Sequence, residues 1–130
     1  MTPTFHLSLS VADLDRTERF YTRTLGASIG RRSEGWIDIW LFGAQVTAYR
    51  RPAAVVPLPH RDAMHFGATL DWPVWEGLAA ELTDTQAPFR LSPSIDEARG
   101  QAKLMLEDPD GYLIEVKAYR EPEKALHAQR

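Results

Sequence analysis

Apolar and polar residues alternate without interruption in the segment "FHLSLSV", residues 5–11. A period of two predicts a β-strand with one face in the apolar core. The positions expected to face a helix layer are Phe5, Leu7, Leu9 and Val11. The opposite face carries the polar residues His6, Ser8 and Ser10. The first strand therefore presents an imidazole and two hydroxyls away from the core.

A helix and three short strands follow this strand. In "ADLDRTERFYTRTLGA" the apolar residues recur at helical spacing, and the pattern predicts a helix over residues 13–25. Asp13 is suited to cap its N-terminus, and Gly26 to end it. The strands predicted next are "SIGRR", "WIDIWLF" and "AQVTAYRR". The first half of the chain thus has the order β-α-β-β-β.

The same order returns in the second half. "MHFGATL", residues 64–70, alternates like the first strand, and a helix is predicted over residues 73–84. The later strands are "PFRLS", "AKLMLE" and "GYLIEVKAY", with an insertion expected around "LSPSIDEARGQ". "DPDG", residues 108–111, is a strong turn signal between the last two strands. The strands at 5–11, 64–70 and 112–118 are predicted to share one curved sheet.

The repeat predicts a single α+β domain over residues 1–130. Module one covers about 4–51, and module two about 63–119. Between them lies a Pro-rich linker at about 52–62, which contains His60, and residues 120–130 form a charged tail.

The parity of the strands places three metal-binding side chains on corresponding faces. His6 and His65 hold the same position in the first strand of each module, and Glu115 lies on the polar face of the last strand. Two imidazoles and one carboxylate are typical of non-haem Fe(II) oxygenases, and they also suit catalytic zinc. Ordinary hydrogen-bonded histidines and a solvated carboxylate would give the same pattern.

Composition narrows the classes of function. The formal net charge is −3 and the pI about 5.8, which disfavours non-specific nucleic-acid binding. The sequence has no cysteine, so disulfides, thiolate nucleophiles and Cys-ligated zinc are excluded. No apolar run approaches membrane-spanning length and no signal segment is evident, so a cytoplasmic protein is expected.

Further polar and aromatic residues fall on the same predicted faces. Trp36 and Trp40 would form an aromatic wall for a small ligand, about as readily as they would pack or contact another copy. Ser8 and Thr47 are further candidates for substrate binding. Tyr49 and Lys103 could donate hydrogen bonds to a developing oxyanion or peroxide, which makes them candidate catalytic residues. Asp38 could be a general base or a solvated edge charge, and the interpretation as a solvated edge charge is favoured.

The repeat, the histidine that opens each half, and "DPDGYLIEV" resemble the vicinal oxygen chelate superfamily. That superfamily includes glyoxalase I, extradiol dioxygenases, fosfomycin-resistance enzymes and bleomycin-binding proteins. The resemblance implies two βαβββ modules in a U-shaped, barrel-like mixed sheet with a metal cup, a small-molecule substrate and a homodimer. Carried over by position, the metal ligands fall on His6, His65 and Glu115.

Departures from the family pattern favour one reaction type. Glyoxalase I-like members have a fourth ligand, a glutamate, where this chain has Thr47. Bleomycin-binding members lack the metal ligands, and the potassium loop of fosfomycin-resistance enzymes is not matched. The resemblance therefore favours an Fe(II)-dependent extradiol-type ring-cleaving dioxygenase. The alternatives are a glyoxalase-like isomerase or thiol transferase with Mn, Ni or Zn, and a non-catalytic binding protein.

Overall fold

The computed structural model describes residues 1–57 and 63–126. Its elements repeat the order β-α-β-β-β twice, so the α+β fold of two βαβββ modules is confirmed. The chain divides into two compact units. The first contains Met1–Met64 and Asp108–Tyr112, and the second contains His65–Glu107 and Leu113–Arg130. The turn 108–112 thus belongs to the first unit, although its sequence lies in module two.

The first unit contains a four-stranded mixed sheet and one helix. Its elements are β1 (His6–Val11), α1 (Leu14–Leu25), β2 (Ser28–Arg32), β3 (Trp36–Leu41), β4 (Ala44–Arg50) and a 3₁₀ turn at Pro52–Ala54. The strand order is β1-β4-β3-β2, and only β1 and β4 pair in parallel. As predicted, the Asp13 side chain caps α1 by accepting the Arg16 N–H, and Gly26 ends the helix with a φ of 68°.

The apolar face of the first sheet follows the predicted parity. Its buried residues are Val11, Ile37, Ile39, Leu41, Val46 and Ala48, with Tyr21 from α1. Side chains become more exposed toward the start of β1. Phe5 is 71% exposed instead of facing the helix layer. Phe5 precedes the first residue of the strand, so the strand pattern no longer constrains it.

The turn at residues 108–112 is held in the first unit by a buried carboxylate. Asp108 accepts hydrogen bonds from the Tyr21 hydroxyl at 2.8 Å and from the backbone N–H groups of Asp110 and Tyr112 at 2.9 and 2.8 Å. The Tyr112 hydroxyl donates to the Ser10 carbonyl at 2.6 Å. Gly111 has a φ of 84°, as the turn signal requires.

The second unit repeats the arrangement and adds a short terminal helix. Its elements are β5 (Phe66–Thr69), α2 (Trp72–Asp84), β6 (Phe89–Asp96), β7 (Gln101–Glu107), β8 (Leu113–Tyr119) and α3 (Pro122–Leu126). The strand order is β5-β8-β7-β6, again with one parallel pair, β5 with β8.

The core of the second unit lies between α2 and its sheet. Leu104, Leu106, Ile114 and Val116 are fully buried on the face that parity predicts. Trp75 is buried as well and donates its indole N–H to the Val116 carbonyl at 2.9 Å. Packing is therefore the role of Trp75 within this unit.

Two expectations from the sequence need correction. The strands form two four-stranded sheets, not one, because each parallel strand pairs with the last strand of its own module. Met64 precedes β5 and is 55% exposed, although the alternation of its segment predicts an inward-facing side chain. The expected insertion is present as a longer hairpin, since β6 runs on to Asp96, and the charged tail contains α3 at Pro122–Leu126.

Two predicted features lie wholly or partly outside the described residues: His60 with the end of the linker, and the last four residues of the tail. No helix in the described ranges 1–57 and 63–126 is long and apolar enough to cross a membrane.

Gly67 allows β5 to approach β8 closely. A Cβ at this position would overlap the backbone carbonyl of Glu115, which cannot rotate away. We expect Gly67→Ala to lower the free energy of unfolding by about 1–3 kcal/mol, as overpacking does. Gly77→Ala is the control, because nothing lies within 4 Å of its added Cβ. On α2 it should stabilise slightly. Equal denaturation midpoints for Gly67→Ala and wild type would contradict this account.

Candidate functional site

The polar face of the first sheet carries several of the predicted site residues in cross-strand rows. In one row Ser8 pairs with Thr47, and Thr47 pairs with Asp38. In the next row His6 pairs with Gln45, and Gln45 with Trp40. The structure therefore places Ser8 beside Thr47 and puts His6 and Trp40 on either side of Gln45.

Asp38 is buried at the centre of this face, with 1% of its surface exposed. Its carboxylate accepts hydrogen bonds from the Thr47 hydroxyl at 2.7 Å, Arg31 Nε at 2.7 Å and Gln45 Nε2 at 3.3 Å. Burial on its own raises the pKa of Asp38, but the hydrogen bonds from Thr47 and Arg31 outweigh it, so the pKa lies below its usual value. The interpretation of Asp38 as a solvated edge charge is therefore wrong.

The hydrogen bond from Thr47 to Asp38 determines which kinds of ligand Thr47 can bind. Because its hydroxyl proton points at Asp38 Oδ1, Thr47 presents oxygen lone pairs in other directions. A ligand that donates a hydrogen bond would match this arrangement, whereas a carbonyl oxygen would not.

The aromatic candidates are spread along the same face. Trp40 is 41% exposed, and its indole packs over Gly30, where a Cβ would lie 2.7 Å from the indole nitrogen. Trp36 pairs with Tyr49. Arginines stack on both of these rings: Arg31 lies 5.1 Å from the Trp36 ring centroid, and Arg51 lies 5.3 Å from that of Tyr49.

In the second unit, His65 and Glu115 line one cavity of about 280 Å³. His65 directly precedes β5, and Glu115 lies on β8 opposite Gly67. The cavity walls also include Thr69 and Lys117. The imidazole and the carboxylate that strand parity assigned to corresponding faces thus line the same cavity.

Lys117 is the charged neighbour of Glu115. Its Nζ lies 4.0 Å from Glu115 Oε1, with the two side chains 35% and 19% exposed. Such a partly exposed pair contributes about 0.2–1 kcal/mol at most. The carboxylate can therefore exchange this partner for a stronger cation at little cost.

The two modules differ at the position that carries the candidate carboxylate ligand Glu115 in the second module. Thr47 stands between Ser8 and Asp38 in the first sheet, as Glu115 stands between Gly67 and Met105 in the second. Thr47 is thus the positional counterpart of Glu115. The first module has a hydroxyl at this position, and its carboxylate, Asp38, lies buried on the adjacent strand.

The donor chemistry of the second unit fits a divalent ion, because imidazole nitrogen and carboxylate oxygen are both common ligands. Within residues 1–57 and 63–126, however, no group of three or more His, Asp and Glu side chains is arranged to hold a metal ion. The role of His6 as a third ligand remains a prediction from the sequence.

Another cavity, of about 360 Å³, lies at the N-terminus of α1 in the first unit. Charged side chains of both signs line it, including Asp13, Glu18, Arg32 and Arg50. Glu18 and Arg32 form an ion pair at 2.8 Å. None of the predicted metal ligands lines this cavity, so its size does not make it the candidate site.

Sequence reasoning missed three functional or structural residues. Parity places Lys117 on the same face as Glu115, two residues further along the strand, but by itself gives it no role. The burial of Asp38 and Asp108 had no such signal, because each depends on donors from other elements: Thr47 and Arg31 for Asp38, and Tyr21 for Asp108.

The fold and the sequence identify the class of protein. The family model of the Glyoxalase/Bleomycin resistance protein/Dioxygenase superfamily matches residues 4–116. The chain therefore belongs to this superfamily, which includes many metal-dependent enzymes. No match is found among curated proteins.

Solved structures with the same fold include a glyoxalase/bleomycin resistance protein/dioxygenase from Alicyclobacillus acidocaldarius. It is 26% identical with a TM-score of 0.79, and the alignment covers 97% of each chain. The fosfomycin resistance protein FosX from Listeria monocytogenes is 14% identical with a TM-score of 0.74, covering 95% of this chain and 98% of its own. A glyoxalase/dioxygenase from Nostoc punctiforme is 17% identical with a TM-score of 0.72, covering 92% of each chain.

Proposed function

We propose that this protein is a metal-dependent enzyme acting on a small molecule with vicinal oxygens, most simply an extradiol-type ring-cleaving dioxygenase with Fe(II). The observation that carries the proposal is the imidazole of His65 and the carboxylate of Glu115 on one cavity. His6 is proposed as the third ligand. A divalent ion held there would act as a Lewis acid and a template for two adjacent substrate oxygens.

The remaining site residues are assigned by what their side chains offer. Thr47, fixed by Asp38, would accept a hydrogen bond from a substrate hydroxyl and would not ligate the ion. Ser8 lies beside it, and Trp36 and Trp40 would contact an aromatic ring. Tyr49 and Lys103 stay candidates for donors to developing negative charge. A cytoplasmic homodimer also stays a prediction from the sequence.

The alternative isomerase or thiol-transferase chemistry with Mn, Ni or Zn uses the same three ligands. A glyoxalase I-like fourth carboxylate is absent at Thr47, and Asp38 does not replace it, because its oxygens already accept hydrogen bonds from Thr47, Arg31 and Gln45. For this reason the three-ligand dioxygenase is preferred to a glyoxalase I-like isomerase.

We expect anaerobically prepared, Fe(II)-loaded protein to consume oxygen with at least one member of a catechol series. Loss of a metal ligand should lower the rate by about 100-fold or more, since the ligand's share of metal binding is lost. The measurement is oxygen uptake in wild type and His65→Ala, with His60→Ala, outside the predicted ligand set, as the histidine control. Metal-loaded protein that is inactive on every catechol, yet isomerises or conjugates a thiol adduct, would replace the dioxygenase assignment.

A further inference from the structure

Four hydrogen-bond donors form one continuous row across the second sheet. Thr69 pairs with Lys117, Lys117 with Lys103, and Lys103 with Ser94, so one residue from each strand contributes. Paired residues of neighbouring strands project from the same face. We call these four residues the donor row. It consists of two ammonium groups flanked by two hydroxyls.

The two lysines stand directly opposite each other on β7 and β8. Like charges in this position repel and destabilise a sheet, unless an anion lies between them. Lys117 has Glu115 at 4.0 Å and the Tyr119 ring at 5.7 Å. Among residues 1–57 and 63–126, Lys103 has no carboxylate within 4.0 Å. The row is therefore short of negative charge.

Asp96 is a candidate to supply that charge, but its carboxylate is paired with Arg99. It shares a small cavity of about 40 Å³ with Lys103 and Ser94. Its carboxylate accepts the Arg99 backbone N–H at 3.1 Å and pairs with Arg99 Nε at 3.8 Å. Arg99 thus neutralises Asp96, and the pair brings no net negative charge to this end of the row.

The donor row lies one step along the strand from Glu115. Lys117 is two residues from Glu115, which corresponds to about 7 Å along a β-strand. Lys117 also shares the 280 Å³ cavity with His65 and Glu115. If Glu115 binds a divalent ion, its charge no longer compensates Lys117, and the row becomes still more positive.

We propose that the donor row binds an anionic group, a carboxylate, of the same small molecule whose vicinal oxygens would bind the ion held by His65 and Glu115. The proposal rests on the proposed function. It names the substrate class as an aromatic vicinal diol with a carboxylate across the ring. Lys103 is the diagonal neighbour of Glu115 across the β7–β8 pair, at a Cα separation of about 7–8 Å. A carboxylate that contacts both lysines therefore lies across the ring from the diol, as a para carboxylate does, whereas an ortho carboxylate stays beside Glu115.

The test compares three probes by calorimetry on Mn(II)-loaded protein: 3,4-dihydroxybenzoate, 2,3-dihydroxybenzoate and catechol. Wild type should bind 3,4-dihydroxybenzoate about tenfold more tightly than the other two, because two partly exposed ion pairs form. Lys103→Met and Lys117→Met keep side-chain length without charge, and each should remove most of that preference. Lys124→Met is the control, since Lys124 is an exposed lysine paired with Glu121 at 3.1 Å.

The outcomes separate this proposal from the proposed function. Manganese uptake is measured on the same samples without any probe. Metal-loaded wild type that binds all three probes equally, or a preference that survives both lysine substitutions, overturns the donor row as a carboxylate site and leaves the metal site standing. If wild type takes up no metal, the proposed function fails. The probes are then compared on metal-free protein, where a lysine-dependent preference supports the row and its absence overturns it.

Discussion

Replacing His65 with alanine should abolish tight binding of divalent metal ions while leaving the fold intact. His65 is exposed and lies outside the apolar core, so its loss creates no core cavity. The expected loss in affinity is about 100-fold or more, an average ligand's share of the binding free energy at protein zinc sites. His6→Ala should have the same effect if His6 is the third ligand.

Glu115→Gln separates charge from size at the same site. Glutamine keeps a coordinating oxygen but loses the negative charge, so binding should be weakened rather than abolished. Metal affinity should also fall as the pH is lowered, because ligating imidazoles must be unprotonated. The measurement is calorimetric titration of Mn(II), or of Fe(II) under anaerobic conditions, into wild type and the three variants.

Two results would contradict the metal-site assignment. Wild type that takes up no divalent ion would leave a small-molecule binding protein as the remaining interpretation. A His6→Ala protein that binds as tightly as wild type would remove His6 from the ligand set while keeping His65 and Glu115. His60→Ala should change nothing and controls for the general effect of losing a histidine.

Asp108→Ala is expected to lower the free energy of unfolding by about 3–5 kcal/mol, because several buried donors lose their acceptor at about 1–3 kcal/mol each. The Tyr21 hydroxyl, fully buried in the first unit, is one of them. The backbone N–H groups of Asp110 and Tyr112 are the others. Chemical denaturation measures the loss, and Asp84→Ala, an exposed carboxylate at the end of α2, should stay within about 0.5 kcal/mol of wild type.

The Asp108 carboxylate should also make the stability of the protein depend on pH in a characteristic way. Burial raises the pKa of Asp108 above its ordinary value of 3.8, despite the hydrogen bonds it accepts from Tyr21 and Tyr112. Between 3.8 and the raised value, the unfolded chain has released a proton that the folded chain still holds. The contribution of Asp108 is therefore fully present below this window and is lost as the pH rises through it.

Asp108→Asn removes this titration while keeping the shape of the side chain. The stability advantage of wild type over Asp108→Asn should narrow as the pH rises through the window. A constant difference between the two proteins would show that the buried carboxylate does not titrate differently in the folded and unfolded states. A small effect of Asp108→Ala would mean that the turn 108–112 is held to the first unit by other contacts.

Local patterns in the sequence were sufficient to predict the helices and strands and to tell which face of each strand is buried. Alternation identifies the buried side of β8, because each of its residues is constrained by a period of two. Asp13 and Gly26 mark the ends of α1, because capping depends on only a few neighbouring residues. The same parity put His65 and Glu115 on faces that the fold brings to one cavity.

Tertiary structure alone decided which polar residues are buried and which strands pair. The division into two sheets follows from hydrogen bonds between distant strands, which no local pattern encodes. The position of Asp38 on the polar face of its strand predicts a solvated charge. In the folded protein its carboxylate is buried, because Thr47, Arg31 and Gln45 on the neighbouring strands donate hydrogen bonds to it. The pairing of Lys103 with Lys117 likewise depends on the register of β7 against β8, and a shift of one residue would remove it.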